Sequence, residues 1–219
     1  MKNFKVAWPK RGHNYLKEEI TELGDLIIDH NLDLTQGSNV SKFESEFGSF
    51  IGSKKCVALM SAAHALDLIA IKIKSKTNKR KILMPAHTYC ATANAFLRQG
   101  FEIEWLDIDK DSLTVEPKQL DDKISDDVAA VVIVHLYGYM TKNIQKISET
   151  CKDHNIYLVE DCAQSLGAFL DGKHAGNFGD FACFSFHSQK NLTTLGEGGM
   201  VVCSDNEDYN DFKELRING

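Results

Sequence analysis

One lysine in this chain stands where its amine can be made reactive. Lys190 closes the stretch Ser185-Phe186-His187-Ser188-Gln189-Lys190, just after the apolar run Phe181-Ala182-Cys183-Phe184-Ser185-Phe186. The glycine-rich turn Gly196-Glu197-Gly198-Gly199 follows. The apolar run reads as a buried strand. A lysine at the exit of such a strand loses water on several sides, which disfavours the ammonium form and leaves an amine able to attack an aldehyde. A second strand-like run, over residues 156–159, ends in Glu160-Asp161-Cys162-Ala163-Gln164-Ser165. A lysine for a Schiff base and an aspartate for a pyridinium nitrogen together point to a pyridoxal phosphate (PLP) site.

Each residue of that site has a definable task and a plainer alternative. Lys190 can form the internal aldimine and then move the proton in the 1,3-shift of transamination; alone, it would be an ordinary surface lysine. Asp161 can keep the pyridine nitrogen protonated through a charge-assisted hydrogen bond, or can cap the next turn. Gln164 can bond the ring oxygen, or be a loop amide. Ser61, Ala62 and Ala63 stand where a strand becomes a helix, and amides at a helix N-terminus bind anions; Ser61 is equally a plain N-cap. Ser185 can add a hydroxyl to the same phosphate, or bond the backbone. Tyr89 can stack on the pyridine ring or pack as a core aromatic. His135 and His187 have no partners at metal-ligand or triad spacing, so structural roles are expected. The glycines around Glu197 are expected to supply unusual backbone angles.

The elements that must position these groups alternate. Leu16, Ile20, Leu23 and Ile27 predict an amphipathic helix over 15–28; Val40, Phe43, Phe47 and Phe50 predict a second, closed by Gly52. Strands are expected over 56–60, 82–84, 101–106, 129–136, 156–159, 181–186 and 200–203. Helices are expected over 62–73, 90–98, 144–154 and 206–215, with a turn and short helix within 115–124. Alternating strands and helices predict a three-layer α/β/α sandwich with a mostly parallel sheet. Strands apolar throughout fit a sheet covered on both faces. In such sheets ligands sit at the carboxyl ends of the strands, where Ser61, Tyr89, Asp161, Gln164, Ser185 and Lys190 converge.

Composition narrows the class. The 219 residues are 43% hydrophobic and 26% charged, with a net charge of −6, which fits a globular core and gives no basic patch for nucleic acid. No apolar run approaches a membrane span, and Met1-Lys2-Asn3-Phe4-Lys5 does not lead into a signal core. Six cysteines without C-x-x-C spacing argue against a zinc cluster and for a reducing cytoplasm.

Several segments resemble the DegT/StrS-type nucleotide-sugar aminotransferases, PLP enzymes of fold type I. The resemblance lies in Glu160-Asp161-Cys162-Ala163-Gln164, in the run from Gly179-Asp180-Phe181 through Lys190-Asn191, and in Gly196-Glu197-Gly198-Gly199. Pro85-Ala86-His87-Thr88-Tyr89, Ala91-Thr92-Ala93-Asn94-Ala95 and His135-Leu136-Tyr137-Gly138 add to it. It implies an aspartate aminotransferase-like large domain over 1–219, with an N-terminal helical segment over about 1–52. It also implies a homodimer with PLP near the subunit interface, glutamate as amino donor and a keto-sugar, usually nucleotide-linked, as acceptor. Lys190 would be the Schiff-base lysine, Asp161 the ring-nitrogen partner, Gln164 a ring-oxygen contact and Tyr89 the stacking aromatic. Ser61, Ala62, Ala63 and Ser185 would surround the phosphate.

The chain departs from the family pattern twice. Ala62-Ala63 stands where a Gly-Thr is usual, and the smaller C-terminal domain is expected to be missing from this sequence. The dehydratase branch carries histidine in place of the lysine, so Lys190 points away from it. Two alternatives remain at this stage: a non-catalytic relative with a regulatory or scaffold role, and another PLP reaction such as a lyase or a desulfurase using Cys90 or Cys162.

Overall fold

Runs of β-branched and apolar residues build one sheet, and the helices between them cover it. The computed structural model describes residues 15–33, 35–53 and 55–217; the residues before Tyr15 and the last two, Asn218 and Gly219, lie outside the described residues, and so does that part of the expected N-terminal segment. The chain runs α1 (Lys17–Ile28), α2 (Ser38–Ile51), β1 (Cys56–Leu59), α3 (Ala62–Lys76), β2 (Lys81–Pro85), α4 (Cys90–Arg98) and β3 (Glu102–Leu106). It continues with α5 (Pro117–Asp121), β4 (Val128–Val134), α6 (Ile144–Asp153), β5 (Tyr157–Asp161), β6 (Phe169–Leu170) and β7 (Lys173–His174). It closes with β8 (Phe181–Ser185), β9 (Gly199–Cys203) and α7 (Asn206–Leu215).

Seven strands pair in the order β1-β9-β8-β5-β4-β2-β3. β9 runs antiparallel to both β1 and β8, and the remaining pairings are parallel. Six strands therefore end at one edge of the sheet, and β9 begins there. The side-chain period of two sends alternate residues to opposite cores. In β8, Phe181 and Cys183 join the cluster under α3, α4 and α7, while Ala182 and Phe184 join the one under α2. In β4, Val131 and Ile133 face α6 while Ala130 and Val132 face the other way. This is the expected three-layer α/β/α sandwich with a mostly parallel sheet.

Local differences have physical causes. The strand expected over 129–136 stops at Val134, and Leu136–Gly138 forms a short 3-10 turn in which Tyr137 adopts φ 58°. The β6–β7 hairpin was not anticipated, since strands of two residues leave no periodicity to read. Helix α1 forms where the spacing places it, yet none of its residues is buried, and Ile20 and Ile27 remain 60% and 61% exposed. Among the described residues no helix is long and apolar enough to cross a membrane.

Candidate active site

A cleft of about 780 Å³ opens at the edge where the parallel strands end. All eight residues singled out from the sequence line it: Ser61, Ala62, Ala63, Tyr89, Asp161, Gln164, Ser185 and Lys190. They arrive from four strand exits, those of β1, β2, β5 and β8.

Asp161 is the last residue of β5, a strand that runs two residues further than the expected end at 159, and is 6% exposed. Its Oδ1 accepts from the Ala163 amide at 3.1 Å, so the plain turn-capping role is real. Its Oδ2 accepts from the Thr92 hydroxyl at 2.7 Å. Lys190 lies on the loop between β8 and β9 and is half-buried. That loop is held like a hairpin tip: the Phe186 amide donates to Gly198, and the Ser188 amide to Gly196, each at 2.8 Å. Burial lowers the Lys190 pKa from the usual 10.5, with the Asp161 carboxylate pulling in the opposite direction.

Part of the cleft wall is built from the N-terminus of α3. The Ser61 Oγ accepts from the His64 amide at 3.1 Å, a standard N-cap that still leaves the hydroxyl proton to donate. The amides of Ala62 and Ala63 belong to the first turn, where no backbone partner exists. Ser185, at the end of β8, pairs in register with Gly199, and Gly199 pairs with Leu59 on its other side. A Cβ on Gly199 would stand 2.5 Å from the Ser61 carbonyl oxygen and 2.6 Å from the Ala62 nitrogen. The glycine therefore lets β9 approach the α3 N-terminus. This corrects the expectation of unusual angles in that turn: Gly196, Gly198 and Gly199 are absent from the positive-φ glycines, whereas Leu195 has φ 73°. Close approach is what Gly198 and Gly199 use, whereas a Cβ on Gly196 would meet nothing within 4 Å.

Tyr89 precedes α4 and is 70% exposed, so it is a cleft side chain rather than a core aromatic. The Gln164 Oε1 accepts from the Tyr137 amide at 2.9 Å, which fixes the strained His135-Leu136-Tyr137-Gly138 turn and leaves the Gln164 NH2 as donor. His187 is tied to its own loop, its Nδ1 accepting from the Gln189 amide at 3.2 Å.

Sequence reading missed Thr92 and Gly199, and it left His135 and Glu160 without partners. The signal for Thr92 was its place three residues after Tyr89, in the first turn of α4. Glu160 is fully buried and accepts from His135 Nε2 and from the amides of Gly176, Phe178 and Gly179, at 2.6 to 2.9 Å. Burial pushes its carboxyl up, but the His135 and amide bonds outweigh that and hold it below the ordinary 4.5. The potential ligand atoms of His135, Glu160 and Cys162 lie within 4.8 Å of one another. Glu160 is already committed to those donors, and burial drives the Cys162 thiol well above 9. The group reads as a structural tie, not a metal centre.

The donor set fits PLP. It offers a desolvated amine, a carboxylate acceptor in the same cleft, and a helix N-terminus with small residues for a phosphate. A desulfurase reading fits poorly: Cys162 is buried as a thiol, and exposed Cys90 does not line the cleft.

Residues 14–219 match the DegT/DnrJ/EryC1/StrS aminotransferase family. This chain belongs to that family. The UDP-4-amino-4,6-dideoxy-N-acetyl-β-L-altrosamine transaminase of Campylobacter jejuni is 36% identical to it over 191 residues, which cover 85% of this chain and 49% of the relative. Among solved structures, the Helicobacter pylori PseC aminotransferase of pseudaminic acid biosynthesis superposes with a TM-score of 0.87 at 25% identity, over 97% of this chain and 56% of that one. The Escherichia coli GDP-4-keto-6-deoxy-D-mannose-3-dehydratase, solved with bound hydrated PLP, gives 0.85 at 25% identity, over 96% and 54%. The family is one of PLP-dependent aminotransferases, and the fold is the fold-type I large domain. The chain spans about half the length of the curated relatives it matches.

Proposed function

We propose that this chain is the cofactor-binding part of an aminotransferase that moves an amino group from an amino acid, glutamate in this reading, to the keto group of a nucleotide-linked sugar. One observation carries the proposal: the half-buried Lys190 amine shares a single cleft with the Asp161 carboxylate and with the α3 N-terminus. Bound PLP supplies an electron sink for the carbanion formed at the substrate's amino-bearing carbon.

Lys190 would hold the cofactor by its aldehyde and would supply the base that moves the proton between the two carbons that exchange it. A lowered pKa suits both tasks, because the free amine is the nucleophile and the base. Asp161 would accept from the ring N–H, and the Gln164 NH2 would donate to the ring oxygen. Tyr89 offers a flat face at the cleft mouth. The amides of Ala62 and Ala63, the Ser61 and Ser185 hydroxyls and the dipole of the 15-residue α3 hold the phosphate. With alanine where the family has threonine, more of that work falls on the amides.

The sugar acceptor rests on relatives such as the Campylobacter transaminase, whose name specifies a UDP-linked sugar. A homodimer is part of the reading. Met60, Tyr137 and Leu195, beside or within the cleft-lining segments, are 68%, 64% and 54% exposed, as side chains awaiting a partner subunit would be. A cytoplasmic enzyme agrees with six free thiols.

The test is spectroscopic, then preparative. The protein incubated with PLP is expected to show a visible absorbance band that borohydride bleaches and that Lys190→Ala lacks. Glutamate and a panel of keto-sugar nucleotides should then give an aminated sugar by mass spectrometry. A Lys190→Ala protein that keeps the band and an unchanged glutamate half-reaction overturns the assignment.

A further inference from the structure

We infer that Thr92, fed by Thr88, is a positioning residue that sets the hydrogen-bonding state of Asp161 through a two-hydroxyl relay. The inference rests on the proposed PLP site and deepens it. Thr92 is 1% exposed and sits in the first turn of α4, on the wall of the cleft. Its hydroxyl donates to Asp161 Oδ2 at 2.7 Å, and the Thr88 hydroxyl donates to Thr92 Oγ1 at 3.0 Å. The relay therefore leads from half-buried Thr88 to the buried carboxylate.

A serine or threonine hydroxyl has one proton to give and room to accept. Thr88 fills the acceptor side of Thr92, which leaves the Thr92 proton aimed at Asp161. A donor on a carboxylate favours its charged form. With the Ala163 amide on Oδ1 and Thr92 on Oδ2, Asp161 is anchored at both oxygens and keeps lone pairs for a ring N–H. The other groups that bear on Asp161 are Lys190 from the β8–β9 loop, Cys183 from β8 and Cys162 next along the chain. The two thiols are held neutral by burial. Lys190 is then the titrating cation among these groups, and it bears on Asp161 through its charge. Thr92 and the Ala163 amide are the hydrogen-bond donors on the Asp161 carboxylate.

Thr92→Val removes the hydroxyl at nearly constant shape. In the PLP-loaded protein the carboxylate then competes harder for the ring proton, the ring carries less positive charge, and the lysine adduct holds its own proton to higher pH. The pH midpoint of the visible band is expected to rise by about half a unit or more, and the dissociation constant for PLP by about tenfold. Thr92→Ser, which keeps the hydroxyl, should restore both values. Thr88→Val should move the midpoint the same way by less. A merely structural role would lower the thermal midpoint of the cofactor-free protein and leave the pH midpoint in place.

The relay is overturned if folded Thr92→Val titrates like the parent protein, if Thr92→Ser shifts as far as Thr92→Val, or if Thr88→Val leaves the midpoint unmoved. Should Thr92→Val not fold, the relay is overturned if Thr92→Ser does not titrate like the parent protein or if Thr88→Val leaves the midpoint unmoved. A parent protein with no visible band would instead refute the PLP site itself, so the two failures are distinct.

Discussion

Gly199→Ala should damage folding and cofactor binding together, and the contact geometry says by how much. The added Cβ would stand 2.5 Å from the Ser61 carbonyl oxygen and 2.6 Å from the Ala62 nitrogen, against an ordinary carbon contact near 3.4 Å or more. Both obstacles are backbone, so no rotamer change relieves them. β9 cannot retreat, because Gly199 pairs with Ser185 on one side and Leu59 on the other. The body of α3 is fixed by Leu66, Ile69 and Ile73 in the core. The residues left to move are Ser61, Ala62 and Ala63, by roughly 1 Å. Overpacking of this kind costs about 1–3 kcal/mol. For a chain of this size that lowers the thermal midpoint by about 2–12 °C. The same shift misaligns the amides assigned to the phosphate, so PLP should bind about tenfold more weakly or worse. Gly196→Ala is the control: it lies in the same turn, its Cβ would meet nothing within 4 Å, and its φ is not positive. It should change stability by less than about 0.5 kcal/mol. Thermal unfolding and PLP titration of both variants read the outcome. If Gly199→Ala matches the parent in both, or Gly196→Ala does equal harm, the close-approach argument is wrong.

Two further outcomes follow from single residues. Glu160→Gln puts an NH2 where the carboxylate accepts from His135 and three amides, which should cost about 2–5 kcal/mol. The sign with pH is fixed by the lowered folded-state value: the parent's advantage is complete above pH 4.5 and shrinks as pH falls through that lower value. Urea unfolding of parent and variant across the acid range checks this, and curves that stay parallel refute it. Tyr89→Ala should leave stability within about 0.5 kcal/mol, since the ring is 70% exposed. PLP affinity should nevertheless fall by roughly 2- to 13-fold, the worth of one aromatic stack. An unchanged affinity in fluorescence titration would remove Tyr89 from the cofactor's contacts.

What the sequence made legible follows from where information is local. Long apolar strands such as Val128–Val134 declare themselves, because burial on both faces leaves no polar position. Residues at strand exits could be gathered into one site before any coordinates, because a parallel sheet brings those exits to one edge. Contacts between distant segments were not legible. Thr92 and Asp161 are 69 positions apart, and nothing in either neighbourhood names the other. Gly199 looked like a turn glycine because its real constraint, the backbone of Ser61 and Ala62, comes from the far edge of the chain. Helix α1 shows the opposite failure. Its periodicity was read correctly, but periodicity says which face is apolar, not what covers it, and among the described residues nothing buries that face.

The reversed direction of β9 ties the Lys190 loop to the α3 N-terminus, the end proposed to hold a phosphate. After a strand that ended at the cleft, a parallel successor would need a long crossover, and Lys190 would lie on a connection free of the site. An antiparallel return lets the loop from 186 to 198 close on itself by backbone bonds and deliver Gly199 straight back to the cleft edge. There Ser185, Gly199 and Leu59 stand in one row of the sheet, and Ser61 is two residues beyond Leu59. A displacement of the lysine loop is thus transmitted through two hydrogen-bonded ladders to the α3 N-terminus. A group held covalently at one end and by its phosphate at the other needs that spacing fixed to within about 0.5 Å. The sheet, not the loops, supplies the ruler, which is why a single methyl group at Gly199 should be felt at both ends.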